Sequence, residues 1–194
     1  MSGTAPGATT SPDAVLRWLA DLLPSGRILN LGAGERAPAR PSQRFVNVDL
    51  RRPRAPVARF VQGDAAALPF PDACFDGALL KDVVEHVADP LAVLRETHRV
   101  CRPGAALTLT TPRAVPRAVW DDPTHVRGFT ARAITEALTV TGWEPTDRPR
   151  RIGGLPGAGR LGLEARLVDL MRIPVLGHWF GTNWLVTARR SAAP

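Results

Sequence analysis

Arg27-Ile28-Leu29-Asn30-Leu31 is an apolar run that stops at two glycines, Gly32 and Gly34, and a second run, Phe45-Val46-Asn47-Val48, stops at Asp49. Two strand-length runs, one closing on bare backbone and the other on a carboxylate, constrain the chain to a parallel α/β sheet whose strand tips gather at one edge. Gly32 and Gly34 take backbone angles barred to other residues, and without side chains they let main-chain N–H groups lie against a ligand. Asp49, at the tip of the next strand, is placed to accept two hydroxyl hydrogen bonds from a ribose. The pair fits an adenosine; a glycine turn and a strand-end cap with no ligand is the other reading.

Gly32-Ala33-Gly34-Glu35-Arg36-Ala37 satisfies the G-x-G-x-x-[GA] dinucleotide fingerprint. A dinucleotide fold needs a full crossover helix behind the glycines, because its N-terminus holds the pyrophosphate. Here Pro38 and Pro41 interrupt the connection and Arg44 already begins the next strand, which leaves at most a turn of helix. A ligand without phosphates tolerates that loss. The expectation is S-adenosylmethionine rather than NAD.

The length of 194 residues suits one domain with one sizeable core. The formal charge of +7 is arginine spread along the chain, Lys81 being the only lysine, and neither an aromatic platform nor a compact basic helix accompanies it. The expected partners therefore include no nucleic acid. Cys74 and Cys101 are too few for a disulfide framework, the first residues lack the form of a signal peptide, and no uncharged run reaches membrane-spanning length. These features predict a cytoplasmic protein with free thiols and no membrane partner.

Residues 1–10 read as a disordered tail and 11–194 as a single domain. Ser11-Pro12-Asp13 opens a helix with an apolar stripe of Val15, Trp18, Leu19, Leu22 and Leu23, stopped by Pro24 and Gly26. Arg59-Phe60-Val61-Gln62-Gly63-Asp64 is a short strand closing on an acid, and Cys74-Phe75-Asp76-Gly77-Ala78-Leu79-Leu80 a buried one. Asp89-Pro90 caps a helix that ends at Arg102-Pro103-Gly104, ahead of a strand to Thr111. Thr130 caps another helix, with Phe129 and Ile134 as its hydrophobic staple and Gly142 as its stop. Pro145 and Pro149 confine the next strand to a sheet edge, and a final strand runs through Val186.

In order and spacing, Leu29-Asn30-Leu31-Gly32-Ala33-Gly34, Val46-Asn47-Val48-Asp49, Gly63-Asp64-Ala65, Leu68-Pro69-Phe70, Phe75-Asp76, Glu85-His86-Val87, Leu94-Arg95-Glu96, Arg99-Val100 and Arg102-Pro103-Gly104 resemble the class I S-adenosylmethionine-dependent methyltransferases, small single-domain bacterial type. The resemblance implies a Rossmann-like seven-stranded methyltransferase sheet, mostly parallel with a terminal antiparallel hairpin and helices on both faces. It implies that Gly32, Ala33 and Gly34 face the methionine part of S-adenosyl-L-methionine and that Asp49, with Leu50 beside it, meets the ribose. Asp64 and the Ala65 backbone meet the adenine, and Leu80 and Lys81 line the cleft near the sulfonium. The family's usual acid two residues before the first glycine is Asn30 here, and its usual third glycine is Arg36. Asn30 retains hydrogen-bonding capacity without charge.

Methyl transfer is an in-line displacement at a carbon already activated by the sulfonium, so a protein base is needed only for an acceptor that arrives protonated. Histidine suits that task at neutral pH. His98 shares a helix face with Leu91 and Leu94 and reads as a core or boundary residue. His125, in the polar loop Trp120-Asp121-Asp122-Pro123-Thr124-His125-Val126-Arg127, is the first candidate base and His86 the second, with a helix-start hydrogen bond as the other role for His86. Asp122 or Asp121 orients the imidazole or meets a cationic acceptor, and a loop stitched together by its own Asp and Thr side chains is the other reading. No second histidine or cysteine stands at ligand spacing from His125, so no metal site is expected. Residues 152–181 form the unusual insertion, a glycine-rich stretch, an amphipathic helix over 160–172, then His178, Trp179 and Phe180. It reads as an acceptor lid or an interface, including a homodimer through 160–181. The predicted function is methyl transfer to a hydroxyl or nitrogen of a small molecule, a sugar or specialised metabolite. A non-catalytic cofactor-binding partner subunit is the alternative, and an NAD-linked oxidoreductase a more distant one.

Overall fold

The computed structural model describes residues 13–35, 43–152 and 181–191. The tail, the connection bearing Arg36, Pro38 and Pro41, the helix read over 160–172, and His178, Trp179 and Phe180 with the lid and homodimer readings lie outside the described residues.

Helix α1 (Asp13–Asp21) leads into β1 (Gly26–Leu31), followed by β2 (Gln43–Asp49), β3 (Phe60–Gln62) and β4 (Phe75–Lys81). Then come α2 (Pro90–Val100), β5 (Cys101–Pro112), the short α3 (Pro116–Trp120), α4 (Ala131–Val140), β6 (Trp143–Pro145), β7 (Arg150–Ile152) and β8 (Asn183–Arg190). The sheet order is β3-β2-β1-β4-β5-β8-β6, with β7 also on β8. The first five positions are parallel, and β8 runs antiparallel to β5 and to both β6 and β7. The terminal antiparallel pairing is as expected. The seventh position is split: β6 pairs the Ala188–Arg190 end of β8 and β7 the Asn183–Leu185 end, giving eight strands among the described residues. Pro145 and Pro149 flank the break, where each lacks the N–H that a continuous ladder would use.

Alternation along β1 and β4 divides the core between two faces. Ile28 and Leu79 pack with Leu16, Leu19, Ala20 and Leu23 of the α1 segment. Leu29, Leu31, Ala78 and Leu80 pack with Val93 and Leu94 of α2 and with Ile134, Ala137 and Leu138 of α4. Helices thus cover both faces. Asp89 caps α2 by accepting from Ala92 N at 3.0 Å, and Thr130 caps α4 by accepting from Ala133 N at 3.1 Å. The staple residues Phe129 and Ile134 are both buried. The α2 helix ends at Val100 rather than at Arg102-Pro103-Gly104, because β5 starts at once by pairing Cys101 with Phe75; Gly104 takes its positive φ inside the strand.

Arg99 explains several of the spaced motifs. Its guanidinium pairs with Glu96 at 2.8 Å and Asp72 at 2.6 Å and donates to the carbonyls of Leu68 and Phe70, while Glu96 accepts from Leu68 N. The Leu68–Asp72 loop beyond Asp64 is therefore laced to α2.

His98 is half-buried, edge-on to the Trp143 ring at 5.5 Å, beneath Gly142, whose φ of +91° and lack of a side chain make room for it. Burial, then the neighbouring Arg190 charge, lowers its pKa from 6.5. A histidine held neutral in the fold leaves stability intact above the unfolded value and removes it as pH falls below, since the unfolded chain then takes up the proton first. Denaturant melts across that range should show a smaller acid loss in His98→Gln than in the parent; equal losses would refute the assignment.

Candidate functional site

The strand order reverses between β2-β1 and β4-β5, so the C-terminal tips of β1 and β4 diverge into a crevice. A cleft of about 430 Å³ opens there, lined by Gly32, Asp49, Leu50, Gly63, Asp64, Ala65, Asp82, Val83, His86 and Thr124 among others.

Gly32 has φ +68° and Gly34 φ +56°. A Cβ on Gly32 would lie 2.5 Å from Val83 Cγ2, whereas one on Gly34 would meet nothing within 4 Å among the described residues, so at Gly34 it is φ that calls for glycine. The turn is pinned to β2 at two points: Ala33 N donates to Val48 O at 3.0 Å, and Gly34 N to Asp49 Oδ2 at 2.9 Å. Asp49 Oδ1 accepts from Arg51 N at 2.9 Å. Each carboxylate oxygen has a further lone pair for a hydroxyl. Asp64 Oδ1 accepts from Ala66 N at 2.9 Å, a tight turn that puts Ala65 at the cleft wall.

Of the predicted cofactor set, Gly32, Asp49, Leu50, Asp64 and Ala65 line this cleft, with Ala33 and Gly34 in the adjoining turn. Three others are placed differently. Asn30 is buried, with its amide donating to Asn47 Oδ1 at 2.8 Å, and Asn47 in turn donates to Ala58 O; the pair braces β1, β2 and the approach to β3. Leu80 is wholly buried on the α2 and α4 face because strand alternation turns it there. Lys81 reaches along the strand tip to Asp82 Oδ2 at 2.5 Å rather than lining the cleft.

Asp82 is the residue that the sequence reading passed over. It has φ +54°, uncommon for a residue with a Cβ. Its position is fixed by Asp82 N donating to Thr110 O at 3.1 Å, and by Oδ1 accepting from Thr110 Oγ1 at 2.8 Å and Asn183 Nδ2 at 3.1 Å. Its signal in sequence was only a polar residue just beyond a buried strand.

The 120–127 loop reaches the same edge. Val126 N donates to Glu85 O at 2.9 Å and Arg127 Nη2 to Ala88 O at 2.7 Å. Asp122 Oδ1 accepts from Thr124 Oγ1 at 2.6 Å and from Thr124 N at 2.8 Å, and these bonds, the hydroxyl first, hold its pKa below the usual value. The loop is thus stitched by Asp and Thr through Oδ1 of Asp122, while Asp122 Oδ2 stands 3.9 Å from His125 Nε2. His125 Nδ1 lies 2.8 Å from Val119 O. A carbonyl only accepts, so Nδ1 carries the proton and a neutral His125 keeps its lone pair on Nε2. His86 Nδ1 faces Thr124 Oγ1 at 3.0 Å and Thr124 O at 3.3 Å. The Thr124 hydroxyl hydrogen is spent on Asp122, so His86 Nδ1 donates too and its Nε2 keeps the lone pair, with no hydrogen-bond partner among the described residues.

The two rings stand 4.7 Å apart, and His86, not His125, lines the cleft. Glu85 stands beside them, wholly buried, with Oε2 accepting from Thr111 Oγ1 at 3.1 Å and Oε1 without a hydrogen-bond partner among the described residues. Burial pushes its carboxyl up to about 8. One ligand-capable atom from each of Glu85, His86 and His125 lies within 4.8 Å of the other two. The second histidine that was absent from His125's neighbourhood in sequence is supplied by the fold.

A switch-point crevice with a glycine turn, a strand-tip carboxylate and a second acidic turn defines a Rossmann-like nucleoside-binding protein. Residues 14–109 match the methyltransferase domain family. A probable S-adenosylmethionine-dependent methyltransferase of Mycolicibacterium smegmatis is 32% identical over 144 residues, 72% of this chain and 51% of that protein. A ubiquinone biosynthesis O-methyltransferase of Ruegeria pomeroyi is 31% identical over 134 residues, 61% of this chain and 50% of that protein. The chain spans about half the length of these curated relatives. Among solved structures, the Burkholderia thailandensis 1,6-didemethyltoxoflavin-N1-methyltransferase with bound S-adenosylhomocysteine superposes with a TM-score of 0.63 at 21% identity, covering 96% of this chain and 80% of that one. The cyclase SpnF has the same fold, with a TM-score of 0.67 at 23% identity, over 93% of this chain and 82% of that one. The chain belongs to the class I S-adenosylmethionine-dependent methyltransferase family, whose methyl donor is S-adenosyl-L-methionine. Among the described residues no helix is long and apolar enough to cross a membrane.

Proposed function

We propose that this chain transfers the methyl group of S-adenosylmethionine to a hydroxyl or nitrogen of a small molecule, a sugar or specialised metabolite, in the cytoplasm. The observation that carries this reading is the free Nε2 of His86 at the wall of the cleft that Gly32, Asp49 and Asp64 line from the other side. Asp49 accepts the ribose hydroxyls, the Asp64–Ala65 turn meets the adenine, and the exposed Leu50 side chain covers the base. The glycine turn takes the methionine end.

A lone pair on the acceptor atom attacks the methyl carbon, the carbon–sulfur bond breaks, and sulfur keeps the pair as S-adenosylhomocysteine. The acceptor's proton passes to His86 Nε2. Asp122 and Thr124 act as positioning residues, since their hydrogen bonds present that nitrogen. Buried Val83 beside Gly32 puts an apolar side chain at this part of the cleft.

Calorimetric titration with S-adenosylhomocysteine, followed by a panel of hydroxylated and amino acceptors with a trideuteromethyl donor and mass detection, tests the reading. One equivalent bound and one labelled product supports it. Binding with no transfer to any acceptor class would point to the partner-subunit role, and tight NADH uptake without S-adenosylhomocysteine binding would overturn the cofactor.

A further inference from the structure

We propose that Glu85, His86 and His125 form a binding site for one divalent transition-metal ion, open on its fourth side to the cofactor cleft. Three observations converge on it. The first is spatial: donors from two separate segments gather so that one ligand-capable atom of each lies within 4.8 Å of the others. The second is the state of the rings. Both Nδ1 atoms are tied down, His125 to Val119 O at 2.8 Å and His86 to Thr124 Oγ1 at 3.0 Å, which fixes both tautomers with a lone pair on Nε2. Metal-binding imidazoles are ordinarily held in this way, with the non-ligating N–H on a carbonyl or hydroxyl. The third is Glu85, wholly buried, with one carboxyl oxygen on Thr111 and the other without a partner among the described residues. A buried polar atom left unpaired is costly, and an ion beside it would remove that cost.

The donor set selects the ion. Two imidazoles and one carboxylate suit zinc, cobalt or iron(II) and are a poor match for magnesium, which asks for oxygen ligands and keeps its waters. Bonds of about 2.0–2.1 Å in a tetrahedral site put ligand atoms about 3.4 Å apart. From the 4.8 Å outer limit, that geometry needs closure by at most about 1.4 Å, toward which the exposed His86 ring contributes by pivoting on Thr124. The backbone is already set, since Val126 N on Glu85 O couples the two segments at 2.9 Å.

His86 lines the cleft, so the open coordination position faces the space where an acceptor would lie. The ion's role, though not its binding, rests on the methyl-transfer reading. An acceptor hydroxyl that coordinates it becomes more acidic and releases its proton to water, and His86 Nε2 then carries the ion instead of taking that proton.

The test uses full-length, tag-free protein stripped with a chelator, titrated separately with Zn2+, Co2+ and Mg2+ by calorimetry, with the visible bands of bound Co2+ as a second readout. The expected result is one equivalent of Zn2+ or Co2+, weakened at least about tenfold in both His125→Ala and Glu85→Gln, with no comparable Mg2+ uptake. Thermal melts identify any variant that fails to fold, and His86→Asn replaces it. Absence of stoichiometric uptake, uptake undiminished in the folded variants, or Mg2+ binding as tight as Zn2+ would each overturn the site. S-adenosylhomocysteine binding, measured on the same stripped sample, separates the two readings: its loss refutes the cofactor assignment, and its survival without metal uptake refutes the ion alone.

Discussion

Asp49→Ala should weaken S-adenosylhomocysteine binding by about a hundredfold. Two charge-assisted hydrogen bonds to the ribose, at about 1.5 kcal/mol each at the low end, account for that factor at 1.4 kcal/mol per decade. The substitution also frees Gly34 N and Arg51 N, the two donors that Asp49 now holds at 2.9 Å, so the glycine turn loosens as the ribose contact is lost. Asp49→Asn retains one acceptor oxygen and should fall between, at about tenfold. Calorimetry on both variants, with thermal melts as a folding control, gives the answer. Affinity unchanged in Asp49→Ala would place the adenosine elsewhere and remove the basis for the cleft.

His86→Ala should lower turnover by about 10²–10⁴-fold, the usual range for removing a group that handles the acceptor's proton, while cofactor affinity changes by less than about threefold. The expectation holds whether Nε2 takes the proton itself or carries an ion that makes the acceptor acidic. His125→Ala should cost less, because Thr124 still holds His86 in place. The order matters more than the size of either effect. Sequence order alone favoured His125, and the cleft lining favours His86. Single-turnover rates on any acceptor that the panel yields compare the two directly; a larger loss in His125→Ala would restore the first ranking.

The parts of the site that were legible in sequence are those whose chemistry is local. Gly32 and Gly34 announce a turn because only glycine adopts φ of +68° and +56° without penalty, and Asp49 and Asp64 announce strand tips because a carboxylate ends an apolar run. Asp89 and Thr130 were readable as caps for the same reason. The illegible parts depend on distance along the chain. No local pattern brings His125 to 4.7 Å from His86; the contact follows from the bonds of Val126 N and the Arg127 guanidinium to the carbonyls of Glu85 and Ala88, in the segment after β4. Asn30 looked like a cofactor contact by its place before the glycines, and only the parallel register opposite Asn47 shows that its amide is spent inside the sheet. Asp82 was hidden because its backbone conformation is enforced by Thr110 and Asn183, and Asn183 stands 101 positions away. The short α3 carried too few residues for a periodic signal.

The place of β8, between β5 and the β6/β7 edge, bears on how the protein is made. It leaves the ribosome after every other strand described, yet it covers β5 from Ala106 to Pro112 and brings Asn183 to Asp82. Until then the nascent sheet ends at a bare β5, with Leu107 and Leu109 on an unpaired border that could template aggregation. A message cut short before codon 183 therefore yields an aggregation-prone fragment rather than a smaller working catalyst, and Asp82, on the wall of a cleft whose glycine turn is finished early in synthesis, waits for the side chain of Asn183 to brace it.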